Sequence, residues 1–262
     1  MTVGGGRHQY MVMKSDVSVV TPAFNSAASI ERTVRSVASQ TFSPKEHIVV
    51  DDGSSDDTVR ILEQLTREIL HLRVIRQHNL GAGAARNAGI SAASGRYIAF
   101  LDSDDLWLPA KLERQVTFMD AENVQFTYGD FLAVDALTTR GLGVYRMPER
   151  LTYHDFLRGC PIGCLTVAFD QRLLGKVYMP DVQRGQDWGL WLGLTRNGAI
   201  ARRYPGVEAV YSQGGASLSS KKLAKVRDVY RIYREQERVG ALRSAYYMIP
   251  HIWGSLSKRP EN

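Results

Sequence analysis

Four short apolar runs, starting near residues 17, 47, 72 and 97, constrain this chain more than any other feature, because intervals of 25 to 30 residues leave room for one helix after each. The first, Val17 to Thr21, is largely β-branched and bounded by Pro22, as suits a strand buried on both faces. His47 to Val50, Leu72 to Ile75 and Tyr97 to Leu101 follow. Between them, Ile30, Val34 and Val37 recur at helical spacing behind Asn25 or Ser26 as N-cap. Ile61, Leu62 and Leu65 mark a second helix, and a Gly/Ala-rich helix starts near Gly83. This rhythm predicts right-handed βαβ units, hence an α/β fold on a parallel sheet.

Such sheets bind ligands beyond the carboxyl ends of their strands, and polar chemistry is concentrated there. The first strand runs out in Pro22-Ala23-Phe24, offering backbone groups and an aromatic face to a base. The second runs into Asp51-Asp52, where a carboxylate can accept the N–H edge of a uracil-like base. In GAGAAR, Gly81 and Gly83 let backbone approach a phosphate, and Arg86 could pair with that phosphate or with Asp104. The fourth strand ends in Asp102, Asp104 and Asp105 with Ser103 between the first two, oxygen ligands of the kind Mg2+ or Mn2+ prefers. Each feature also has a plainer reading. The acidic turns would cap the following helices, Asp52 and Ser54 among them, and Arg86 would lie on a helix surface.

What is missing narrows the chemistry. The first turn, TPAFNSA, has no glycine, so the dinucleotide pattern G-x-G-x-x-G is absent from the place it is needed, and no G-x-x-x-x-G-K-[ST] occurs. A chain of 262 residues with 44% apolar residues can bury a sizeable core. It has no signal-peptide-like run and no 18-residue apolar stretch, so a cytoplasmic protein is expected. Cys160 and Cys164, spaced C-x-x-x-C, are read as free thiols. The net charge of +6 is a tail property: from Lys221 to Arg259, ten Lys or Arg stand against Asp228, Glu235 and Glu237, a surplus of +7.

Four segments, VSVVTPAFNSAASIERTVRSVASQTF, VVDDGSSDDT, NLGAGAARNAGISAASGRYIAFLDSDD and RGQDWGLWLGL, together resemble the family-two glycosyltransferases of the GT-A fold. The likeness is to the non-processive bacterial enzymes of exopolysaccharide, capsule or O-antigen synthesis. It implies a Rossmann-like, mostly parallel central sheet flanked by helices, with a smaller mixed extension. It further implies inverting transfer from a nucleotide diphosphate sugar, usually UDP-linked, to a glycan or polyprenyl-linked acceptor, with Mn2+ or Mg2+ as cofactor. By motif match Asp52 binds the base, Asp102 and Ser103 lie by the nucleotide sugar, Asp104 ligates the metal, and Asp187 is the general base. Gln186 stands where the family usually has Glu. Asp187 also falls in the first turn of a helix, where any carboxylate is favoured by the dipole.

The resulting division is 1–14 as a disordered segment, 15–215 as the GT-A domain and 216–262 as a basic amphipathic helical tail. Within the domain, 15–108 is the nucleotide-sugar-binding half and 109–215 the acceptor half, with strands read at 124–134 and 161–170. In the tail, Leu223, Val226, Tyr230 and Tyr233 recur at helical spacing, and an aromatic cluster follows. Such a segment either lies on an anionic membrane, making the protein peripheral on the inner face of the plasma membrane, or packs on the domain. Competing functions fit less well. A sugar-phosphate nucleotidyltransferase would need a glycine-rich loop after the first strand, and a processive synthase would need membrane spans and Q-x-x-R-W, where the chain has QRGQDW. A non-catalytic nucleotide-sugar or membrane-binding module gives no reason for the carboxylates, and nucleic acid is not an expected partner.

Overall fold

The computed structural model describes residues 13–214 and 222–257. Val17–Ala23 (β1), Glu46–Asp51 (β2), Leu72–Arg76 (β3) and Tyr97–Phe100 (β4) are parallel, as their rhythm requires. Phe126–Asp135 (β5), Ala168–Asp170 (β6) and Ala201–Gln213 (β7) extend the same sheet in the order β3-β2-β1-β4-β6-β5-β7. β6 runs antiparallel to both neighbours, while β5 and β7 pair in parallel. Short strands complete it: Leu106–Trp107 and Arg150–Leu151 along β7, and Gly141–Tyr145 along β5. Of the strand expected at 161–170 only Ala168–Asp170 forms, because Cys164–Thr166 turn as a 3-10 helix before it.

The strand order reverses between β1 and β4, and this creates the cleft. β4 pairs with β1 only as far as Val20↔Phe100, whereas β2 stays paired to Ala23↔Asp51. The end of β1 therefore has an open edge on the β4 side. Pro22, which has no N–H to offer, sits on that stretch at no cost in ladder bonds.

Helices Ile30–Ala38 (α1) and Thr58–Glu68 (α2) cover one face, where Ile30, Val34, Leu62 and Leu65 pack with Val49. Ala82–Ala92 (α3) covers the other. It lies so close that a Cβ on Gly89 would fall 2.3 Å from Val20 Cγ1. After Lys111–Ala121 (α4) and Tyr153–Arg158 (α5), Gln186–Thr195 (α6) joins the α3 face, and Trp191 meets Phe100 and Phe126 at 6.0 and 5.4 Å. The N-cap expected at Asn25 or Ser26 is displaced to Ser29. Asn25, at φ 48°, is committed to the loop after β2, donating its N–H to Ser54 Oγ (2.9 Å) and accepting from Ser55 N (2.8 Å).

The described part of the tail, Lys222–Arg231 (α7) and Ala241–Ser257 (α8) with a π-helical turn at Ile232–Gln236, is joined to the domain. Tyr233 sits edge-on to Trp188 at 5.1 Å, and Gln236 Nε2 donates to the Gly189 carbonyl at 2.6 Å. Glu237 pairs with Arg196 and accepts from the Tyr153 hydroxyl. Of the segment expected to be disordered, residues 1–12 lie outside the described residues, while Met13–Lys14 pair with Phe42–Ser43. Residue 215 of the domain and residues 216–221 and 258–262 of the tail also lie outside them. Among the described residues no helix is long and apolar enough to cross a membrane, and neither Cys160 nor Cys164 is in a disulfide bond.

Candidate active site

On the β1 and β2 side of the cleft, Ala23 is buried and its carbonyl accepts from Asp52 N (2.8 Å), tying the two strand ends together, while Phe24 stands 48% exposed. Asp52 is buried and caps no helix. Its Oδ1 accepts from Gln77 Nε2 (2.7 Å) and Leu80 N (2.9 Å), and its Oδ2 from Gly81 N (2.8 Å). A carboxylate offers about four lone-pair positions, so one acceptor position on Oδ2 remains. The start of α2 is served by Asp56, which accepts from Thr58 N, and Ser54 is held by Asn25. Next to Asp52, the Asp51 carboxylate is buried with Oδ2 lacking a hydrogen bond, 3.9 Å from Arg76 Nε. Gly81 caps α3 at φ 92°, and a Cβ there would meet nothing within 4 Å. Backbone conformation demands the glycine, and the space beside it is open.

The acidic loop after β4 is clamped through its backbone. Thr33 Oγ1 donates to the carbonyls of Ser103 (3.0 Å) and Asp105 (2.9 Å), while Arg32 Nη2 (3.0 Å) and Ser212 Oγ (2.6 Å) both donate to the Asp104 carbonyl. Ser212 N also donates to Asp105 Oδ1 at 2.9 Å, and the Ser103 and Ser26 hydroxyls pair at 2.8 Å. Asp105 is thus part of the scaffold. Arg32, Thr33 and Ser212 were not foreseen from sequence, since each lies on another element and no local spacing links it to the loop. Burial, together with the charge of Asp102, pushes the Asp104 carboxyl above its usual range and raises Asp105 further.

Arg86 does not pair with Asp104 as one expectation had it. Its buried guanidinium forms an ion pair with Asp102 instead, two residues beyond the end of β4. Burial alone would lower the Arg86 pKa, yet Asp102 beside it, with Cys164 and Asp187 in electrostatic reach, raises it. Asp187 is brought in by α6, whose N-cap Gly185 is left-handed at φ 76°. The starts of α3 and α6 abut: a Cβ on Gly83 would lie 2.9 Å from Gln186 Cγ. Gln186 Nε2 donates to the Gln183 carbonyl at 2.8 Å, so the residue standing in place of Glu closes its own turn. The fold therefore links Gly83 to the start of α6 and Arg86 to Asp102, with Asp104 and Asp187 in electrostatic reach of Arg86, while Gly81 is held directly to Asp52.

A divalent cation fits this donor set under one condition. Among the described residues no group of three or more His, Cys, Asp or Glu side chains could hold a metal ion by itself. Asp104, its carboxyl raised by burial and by the charge of Asp102, would suit a cation that also takes ligands from phosphate and water, and such a cation would favour the ionised form.

Residues 18–172, more than half of the chain, match the family model described as glycosyl transferase family 2. The chain belongs to this family. This family-2 glycosyltransferase is 37% identical to TuaG of Bacillus subtilis, a glycosyltransferase assigned to teichuronic acid biosynthesis, over 93% of this chain and 97% of the relative. It is 34% identical to WfgD of Escherichia coli, named as a UDP-Glc:α-D-GlcNAc-diphosphoundecaprenol β-1,3-glucosyltransferase, over 90% and 92% of the two chains. Among solved structures, Staphylococcus aureus TarS 1–349 in complex with UDP-GlcNAc superposes with a TM-score of 0.70 at 24% identity, over 88% of this chain and 69% of that one. The family-2 fold of the present chain is thus GT-A.

Proposed function

We propose that this glycosyltransferase moves a sugar from a nucleotide diphosphate sugar, UDP-linked, to a hydroxyl of a glycan or polyprenyl-linked acceptor, with inversion, in bacterial surface polysaccharide synthesis. One observation carries the reading. Arg86 pairs with Asp102, just beyond β4, and has Asp187, in the first turn of α6, within electrostatic reach, so donor and acceptor chemistry share one buried cation. The names of TuaG and WfgD support the acceptor class, and that of WfgD the UDP-linked donor.

The base stacks on Phe24 and gives its N–H to the acceptor position left on Asp52 Oδ2. Pro22 and Ala23 line it with backbone, and Gly81 and Gly83 let the diphosphate approach the start of α3. Asp102 and Ser103 flank the nucleotide sugar. Asp187 accepts the acceptor's proton as the hydroxyl oxygen attacks the anomeric carbon, and the bond to the diphosphate breaks on the opposite face. Arg86 keeps its positive charge toward the departing diphosphate. Mn2+ or Mg2+ held by Asp104 would supply Lewis-acid charge compensation to the same leaving group.

A panel of UDP-sugars screened for thermal stabilisation with and without Mn2+ tests the donor side. The expected result is a rise in Tm for one or a few UDP-sugars that needs Mn2+ in the wild type and is lost in Asp104→Ala. Stabilisation equal with and without the metal, in both proteins, would remove Asp104 from the site.

A further inference from the structure

The tail described above packs on the domain by one side only, and its other side is not accounted for. Along α8, Ser244 is fully buried and Tyr247 and Met248 pack against the core, with Tyr247 stacked on Tyr233 at 5.9 Å. On the opposite side of the helix, Leu242, Tyr246 and Ile249 are 89%, 62% and 57% exposed. Their spacing of four and three residues sets them in one stripe. In the sequence that spacing continues to Trp253 and Leu256. Other exposed apolar side chains, such as Leu70, Leu137 and Leu173, stand singly on separate elements and need no partner. The α8 stripe is the exception.

Charge says what would cover it. The segment from Lys221 to Arg259 carries ten Lys or Arg against three acids, and Arg234, Arg238 and Arg243, close to the stripe in sequence, are exposed. An apolar stripe flanked by arginines matches an anionic lipid surface, where apolar side chains enter the headgroup boundary and cations meet phosphates. We propose that the outward face of α8, through Leu242, Tyr246 and Ile249, docks this glycosyltransferase on an anionic bilayer leaflet. The proposal rests on the reading of a polyprenyl-linked acceptor and gives it a geometry. Asp187 is followed by Trp188, Trp188 meets Tyr233 at 5.1 Å, and Tyr233 stacks on Tyr247 of α8. Two aromatic contacts therefore fix the height of the proposed base above the docking face, so a membrane-borne acceptor meets it at a constant level.

The test uses the full chain and flotation with vesicles of phosphatidylcholine, with and without phosphatidylglycerol. Wild type should float with the anionic vesicles only and be released by salt. The double variant Leu242→Ser/Ile249→Ser should float at least about tenfold less, while Leu173→Ser floats as wild type. Arg238→Gln/Arg243→Gln should raise the lipid needed without abolishing flotation. Unchanged Tm in all variants shows that the fold is intact. Transfer to a water-soluble acceptor should be unchanged, and transfer to the same acceptor on a polyprenyl chain in vesicles should fall with flotation. Equal flotation of wild type and the double variant overturns the proposal, as does a wild-type dimer that the double variant dissolves, which would assign the stripe to a second copy. Loss of soluble transfer in wild type with flotation intact would instead overturn the catalytic reading and leave the docking face standing.

Discussion

The two halves of the chain deliver their polar groups by different routes. In residues 15–108 Phe24 follows β1, Asp52 follows β2, and Asp102 and Asp104 follow β4. A strand buried on both faces has no slack, so the residue just beyond it is placed to within the precision of the sheet. In the second half Asp187 starts a helix that is apolar nearly all round, and its position is set by Trp188 and Trp191 and by Tyr233 from the tail. One half is placed by hydrogen-bonded ladders, the other by packing across distant segments. The second should therefore be the more easily displaced.

The largest expected effect removes the group that only the second half supplies. Asp187→Asn should lower transfer by about 10²–10⁴-fold with UDP-sugar binding retained, measured as turnover beside thermal stabilisation by the donor. Loss of both together would make Asp187 a structural residue of the helix start. Tyr233→Ala then asks whether packing places that helix. Removing a fully buried ring that touches Trp188 and Tyr247 should cost about 3–5 kcal/mol in urea unfolding. Donor binding by the folded fraction should survive better than turnover. Equal losses of the two would erase the contrast between the halves.

Acid should loosen the first half. His47, on β2, is fully buried with Nε2 2.9 Å from Thr21 Oγ1, and burial, with His71 nearby, lowers its pKa from 6.5 to about 3. A folded-state pKa below the unfolded one means that its contribution is fully present above pH 6.5 and is lost as the pH falls toward 3. The slope approaches about 1.4 kcal/mol per pH unit. Urea midpoints taken across that window should fall more steeply for wild type than for His47→Gln, and parallel curves would clear His47 of the role. The smallest effect tests the seam between the halves. Gly83→Ala puts a methyl group 2.9 Å from Gln186 Cγ, so that one side chain must shift and donor KM should rise a few-fold. Gln186→Ala should relieve it, with a coupling of about 0.5–1 kcal/mol in a double-mutant cycle.

Legibility in the sequence follows the same division. The strand rhythm, the acidic loop and the glycines of α3 are local patterns, and all lie where the spacing put them. β7, the longest strand, escaped notice because Pro205 and Gly206 break its alternation, and the structure accommodates them with register shifts between Arg203 and Ala209. Arg86 is visible as a cation near carboxylates, but a single sequence does not say which of Asp102 and Asp104 it meets. The clamp by Arg32, Thr33 and Ser212 spans as many as 180 positions, and nothing in a single sequence ties those positions together.

That clamp has a practical side. Because the tethers to Ser103 and Asp104 grip carbonyl oxygens, which every amino acid possesses, the loop behaves as a socket whose fittings can be exchanged without loosening the mount. Exchanging the side chain at 104 therefore reports on chemistry and leaves the architecture alone. A library built there would vary the proposed ion contact in a protein that still folds.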